Sequence, residues 1–252
     1  VADVAPLVER ARAIQPAWWG LGFDGRAEVM RRAQRWTLDN ADRIVDTIVA
    51  ETGKTRDDAQ LAELGYAGAA FGFWAKNAAK YLRDRKVRVS SPMLIGKKAL
   101  VRYRPRGVVG VIGPWNYPLV NSFGDCIPAL MAGNAVILKP SEVTPLTSVL
   151  MAECMAESGA PDGVFQVLTG RGDAGAELID HVDFVMFTGS TATGRKVAER
   201  AAKTLTPVGL ELGGKDPMIV LADADVEKAA NAATYYSMQN GGQTCISVER
   251  VY

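Results

Sequence analysis

Hydrophobic positions along the chain change period partway through. Up to residue 83 they recur at helical spacing. One run covers Arg26 to Asp39 and another Ala41 to Thr52, and Gly53 stands where a left-handed residue would end the second. Thr55 with Asp58 reads as the N-cap of a third helix carrying Tyr66, Phe73, Trp74 and Tyr81. Large aromatics at such spacing are usually core, so these four are expected inside. From Lys98 to Arg104 polar and apolar residues alternate, the pattern of a strand with one wet face, and Pro105-Arg106-Gly107 then breaks the chain.

Beyond Gly107, short apolar runs alternate with helical stretches. Strands are predicted at Val108–Ile112, Ala135–Leu138, Val164–Leu168, Asp183–Phe187 and Pro207–Glu211. Helices are predicted near 117–132, from a Thr144-Pro145 cap to Gly159, near 173–180 and near 191–203. This rhythm predicts an α/β fold: a doubly wound, parallel, Rossmann-like sheet covered on both faces and preceded by N-terminal helices. Ligands of such a sheet belong at the carboxyl ends of its strands. Met218–Leu221, expected as a strand, and a helix opened by Asp225 begin a second α/β unit.

Composition narrows the chemistry. The chain has 252 residues, 48% of them apolar, enough for a sizeable core. A net charge of +1 gives no field for nucleic acid or a membrane surface. Apolar stretches are broken well short of a membrane span, and Val1-Ala2-Asp3 has no signal architecture. The missing initiator Met is taken as processing or a fragment. Three widely spaced cysteines form neither a zinc pattern nor a disulfide framework, so a reducing, cytoplasmic setting is expected. His181 is the sole histidine; a His-dependent nucleophile would rest on it, and no metal site is expected.

Polar clusters follow the strand ends. Gly170-Arg171-Gly172-Asp173-Ala174-Gly175 spells G-x-G-x-x-G, but where an acidic ribose reader should follow stand Arg195 and Lys196. The other clusters are Gly113-Pro114-Trp115-Asn116-Tyr117-Pro118, Lys139-Pro140-Ser141-Glu142, Thr188-Gly189-Ser190-Thr191-Ala192-Thr193-Gly194, Glu211-Leu212-Gly213-Gly214-Lys215 and Asn240-Gly241-Gly242-Gln243-Thr244-Cys245. Singly, each has a bland reading: a solvated turn, a turn asparagine, a buried thiol. Together, in this order and at these intervals, they resemble the aldehyde dehydrogenase superfamily over nearly the whole chain, nearest to succinate-semialdehyde dehydrogenases.

That resemblance implies oxidation of an aldehyde to the carboxylic acid with NAD, NADP being the alternative. It makes Cys245 the nucleophile, Asn116 an oxyanion donor and Glu211 the base that hydrolyses the thioester. Lys139, Ser141 and Glu142 become ribose contacts, with Glu142 favouring NAD. Gly189 and Ser190 at a helix N-terminus become the pyrophosphate site. Ile112, Gly113, Pro114, Trp115, Gly172, Gly175, Phe187, Thr188, Leu212 and Gly213 complete the cofactor surface. Residues 1–212 would be the helices and cofactor-binding domain, with the 98–104 strand an oligomerisation element, and 213–252 the start of a catalytic domain. Family members run to about twice this length, so the isolated chain is expected to turn over negligibly and the full-length form to be a homo-oligomer. The rival readings are a cofactor-binding chain without turnover, and a reductase of activated acyl groups, acyl-coenzyme A or acyl phosphate. Relatives that use coenzyme A usually lack the carboxylate at Glu211.

Overall fold

The computed structural model describes residues 4–88, 90–91, 93 and 96–252. Its N-terminal layer is helical: α1 (Val4–Gly20), α2 (Gly22–Asp39), α3 (Ala41–Thr52) and the short α4 (Arg56–Asp58). α4 runs through a π-helical stretch, Ala59–Leu64, into α5 (Gly65–Tyr81). Gly53, at φ 71°, ends α3 as its position predicts. The Thr55 hydroxyl accepts from the Asp58 amide at 3.1 Å, the expected cap.

Three of the four aromatics expected inside lie outside the core, while Trp74 is partly buried and packs against it. Tyr66, Phe73 and Tyr81 are 46–50% exposed, while Ala67, Ala70, Phe71 and Ala78 are buried. The cause is close helix approach. α5 meets α2 through its small residues, with Gln34 only 2.9 Å from where a Cβ on Gly72 would sit. Tyr66, Phe73 and Tyr81 are left outside, and Phe73 packs edge-on against the half-buried Trp74 at 5.1 Å.

Two short strands follow, β1 (Arg85–Val87) antiparallel to β2 (Ala99–Val101). β2 is shorter than the predicted 98–104 strand, and β1, with two cations in three residues, carries no readable pattern.

The main sheet has five parallel strands. They are β3 (Val108–Ile112), β4 (Ala135–Lys139), β5 (Phe165–Val167), β6 (Phe184–Thr188) and β7 (Val208–Glu211), in the order β5-β4-β3-β6-β7. The helices between them are α6 (Gly124–Met131, entered through the π-helical Leu119–Phe123), α7 (Leu146–Glu157), α8 (Gly172–His181) and α9 (Thr191–Ala202). All five residues of β4 are buried, and the first four, Ala135 to Leu138, form a continuous apolar run that ends in Lys139 at the strand's carboxyl end. Connections from β3 lead one way to β4 and β5, and the next pair, β6 and β7, lies on the other side, so the switch point falls between β3 and β6.

The cap of α7 differs from the sequence expectation. Thr144 does not cap it; its hydroxyl turns to the Trp115 carbonyl at 3.4 Å. Glu51 of α3 supplies the cap instead, accepting from the Leu146 amide at 2.5 Å, the Thr147 amide at 2.9 Å and the Thr147 hydroxyl at 2.6 Å. A carboxylate suits the positive end of a helix whichever part of the chain delivers it.

Past the sheet, β8 (Asp216–Met218) pairs in parallel with β9 (Val248–Val251) across α10 (Val226–Met238). The predicted Met218–Leu221 strand therefore starts and ends earlier, although the Val220 amide still reaches Tyr252 O at 2.8 Å. Asp225 caps α10 as expected, accepting from the Lys228 amide at 3.1 Å. No α10 side chain is fully buried. Among the described residues, no helix is long and apolar enough to cross a membrane.

Candidate active site

Parallel pairing brings the strand ends level. Ile112 lies opposite Lys139 on one side and Phe187 on the other, and Thr188 lies opposite Glu211. Along this edge runs a cleft of about 990 Å³.

Each loop contributes by a local device. After β3 the chain packs so tightly that a Cβ on Gly113 would fall 1.9 Å from Ser122 Oγ. That turn carries Pro114, Trp115 and Asn116 into the cleft wall. After β4, Lys139 is buried with its ammonium 3.2 Å from Glu142, and Ser141 stands between them in sequence. Gly175 of α8 faces the strand ends at ordinary contact distance: a Cβ there would sit 3.5 Å from the Lys139 stem and 3.8 Å from Ile112. Gly172, by contrast, faces open space, as does Gly213 beyond Leu212. After β6, Phe187, Thr188 and Gly189 lead to Ser190, whose hydroxyl caps α9 by accepting from the Thr193 amide at 3.2 Å. All of these, with Glu211, Asn116 and Cys245, line the one cleft.

Cys245 is exposed, whereas Cys126 and Cys154 are buried in helices. Burial pushes the Cys126 thiol well above its usual range and the Cys154 thiol up to about 12. The loop leading to Cys245 passes through three successive left-handed residues, Asn240, Gly241 and Gly242, at φ 55°, 65° and 77°. Two of them are glycines, which removes most of the strain. The Asn116 side-chain amide donates to Gln243 O at 2.7 Å, and the Tyr117 hydroxyl meets Thr244 Oγ1 at 2.9 Å. Asn240 donates in turn to Asn116 O at 3.2 Å. The two loops are thus laced together, and Asn116 Nδ2 has a second hydrogen to give.

Several residues here escape sequence reasoning. Asn121 lines the cleft, as do Lys196 and Arg200 of α9 and Lys203 just past its end, beside Gln243 and Thr244 of the cluster the sequence marks. Asp125, in the first turn of α6, has its carboxyl pushed up to about 6 by burial and then by the negative charge of Glu211. Beneath the Asn116 loop lies a buried ion pair, Lys54 with Glu63. Burial pulls the Lys54 ammonium down and pushes the Glu63 carboxyl up, and their mutual attraction opposes both. Among the described residues, no group of three or more His, Cys, Asp or Glu could hold a metal ion.

A sequence profile described as the aldehyde dehydrogenase family matches residues 1–252. The chain belongs to the aldehyde dehydrogenase family. A putative succinate-semialdehyde dehydrogenase [NADP(+)] of Mycolicibacterium smegmatis is 43% identical over 99% of the chain and 48% of its own length. A putative aldehyde dehydrogenase, PutA, from Anabaena variabilis superposes with a TM-score of 0.92 at 38% identity, covering 99% of this chain and 52% of that one. A structure of PnpE in complex with nicotinamide adenine dinucleotide superposes equally well, at TM-score 0.92 and 35% identity over 99% of this chain and 51% of its own. The chain spans about half the length of the curated relatives it matches.

Proposed function

We propose that the chain supplies the cofactor site and reacting groups of an enzyme that oxidises an aldehyde, with NAD(P) and water, to a carboxylic acid. One observation carries the proposal: the exposed Cys245, Asn116 and Glu211 share a single cleft with every residue expected to hold the dinucleotide. The cleft suits such a ligand. Gly172 and Gly213 present bare backbone to open space, Ser190 opens a helix whose amides favour anionic oxygens, and Lys139 and Glu142 offer both signs of charge for a ribose. When bound, the nicotinamide accepts the hydride.

The chain's own residues do the rest. The Cys245 thiolate adds to the aldehyde carbonyl and forms a thiohemiacetal. Asn116 Nδ2 and the Cys245 backbone amide donate to the oxyanion, each worth about 3 kcal/mol in a water-excluded site. Loss of hydride leaves a thioester on Cys245. Glu211 then takes a proton from a water, whose oxygen attacks the thioester, and the acid departs as the thiol is regenerated. A carboxylate at this place favours water over coenzyme A as the acyl acceptor.

NAD is the cofactor we favour, since Glu142 stays ionised: its own backbone amide and then Lys139 hold its carboxyl below the usual range. Lys139 offsets part of that negative charge, and NADP, the cofactor named for the mycobacterial relatives, is the alternative. Semialdehydes with a distal carboxylate are the first substrate class to examine, for the same reason. The experiment is nicotinamide reduction with an aldehyde panel, using a protein that comprises these residues, beside its Cys245→Ser variant. Turnover that survives Cys245→Ser would overturn the mechanism, and strict dependence on coenzyme A or phosphate would move the reading to the acyl reductases.

A further inference from the structure

Lys54 and Glu63 are almost wholly out of solvent, with side-chain exposures of 1% and 0%. Neither lines the cleft. A buried ion pair is seldom more stabilising than well-packed apolar side chains of the same size, so its contacts say more about its role than its charge does. Those contacts converge on one five-residue stretch. Lys54 Nζ donates to Glu63 and to Asn116 O at 2.9 Å, and lies 4.1 Å from the centre of the Tyr117 ring. Glu63 Oε2 accepts from the Leu119 amide at 2.8 Å and the Val120 amide at 3.4 Å. Pro118, between them, has no amide to give. The pair therefore grips the backbone on both sides of the turn. From the opposite side, Asn240 of the Cys245 loop donates to the same Asn116 carbonyl.

We propose that the Lys54–Glu63 pair is a positioning device that fixes the backbone around Asn116 and so sets where that amide stands relative to Cys245. The inference rests on Asn116 as an oxyanion donor. Lys54 and Glu63 are positioning residues: they act through Asn116 and touch no reacting atom.

Two reactions of Cys245 separate positioning from general damage. With p-nitrophenyl acetate, the thiolate adds to the ester carbonyl and the electron pair moves onto oxygen. Collapse then expels p-nitrophenolate and leaves a Cys245 thioester. With iodoacetamide, the thiolate displaces iodide at carbon and no oxyanion forms. In a protein comprising these residues, Lys54→Met should slow the ester reaction on the order of tenfold or more and alkylation less than about twofold, the signature of a misplaced donor. Lys54→Arg, which keeps the charge and the donors, should recover part of the loss. Lys54→Met/Glu63→Gln leaves no charge without a partner and gives the same comparison if the single variant does not fold. Asn116→Ala, run alongside, tells the two readings apart. If it lowers the ester reaction selectively while the Lys54 variants leave the ratio of the two rates unchanged, the positioning role is overturned and the oxyanion role stands. If Asn116→Ala itself leaves that ratio unchanged, the oxyanion role fails and the positioning role falls with it.

Discussion

Asp125→Asn should stabilise the protein increasingly as pH rises above about 4, with the full effect present from about pH 6 upward. The wild-type carboxyl is pushed from 3.8 to about 6, first by burial and then by the charge of Glu211. Below pH 3.8 it is protonated in both folded and unfolded states and has no effect. As pH rises towards 6 the unfolded chain releases the proton and the folded one holds it, so this contribution to stability is lost across that window and stays lost above it. One pKa unit corresponds to about 1.4 kcal/mol, which sets a ceiling of about 3 kcal/mol. Partial solvent access at Asp125 reduces the expectation to about 1–2 kcal/mol. Asparagine keeps the shape and never ionises. Urea unfolding of both proteins at intervals from pH 4 to pH 8 should show midpoints that agree at the acid end and diverge in favour of the variant. Glu211→Gln, which removes one cause of the shift, should shrink the divergence. Parallel profiles, or a variant less stable at pH 8, would refute the argument.

Two further outcomes are expected at the site. Limited iodoacetamide with peptide mapping should modify Cys245 well before Cys126 or Cys154, because the latter two are buried and burial raises their thiols; first labelling at either would remove Cys245 from its role. Glu142→Gln should narrow the preference for NAD over NADP by about fivefold, the factor for roughly 1 kcal/mol of charge repulsion near solvent. Tighter binding of NADP than of NAD by the unaltered chain, followed by tryptophan quenching, would contradict the ribose argument.

The parallel sheet was legible because buried strands are continuous apolar runs ending in polar turns, and that same rule located the cleft at the strand ends. What sequence could not convey was direction and distance. Phe73 and Ala70 both carry helical periodicity, and only the approach of α2 decides that the alanine goes in and the ring goes out. Glu51 caps a helix whose first amide lies 95 positions away, and no local pattern records that. Lys54, Glu63 and Asp125 look like ordinary surface charges in sequence. Their roles come from burial, a property of the folded chain. The Gly170–Gly175 string shows the converse. A literal dinucleotide motif, it serves here as the loop and first turn of α8, with Gly175 facing the Lys139 stem.

The most direct test of the account is the fate of the acyl group when Glu211 is replaced by Gln in a protein comprising these residues. After mixing with aldehyde and cofactor, nicotinamide reduction should rise in a burst of about one equivalent and then slow by about 100-fold or more, as expected on losing a general base. Mass spectrometry of the quenched protein should place the acyl group on the peptide bearing Cys245. A Glu211→Gln protein that shows no burst, or one whose acyl group maps to any other residue, would contradict the division of labour between Cys245 and Glu211.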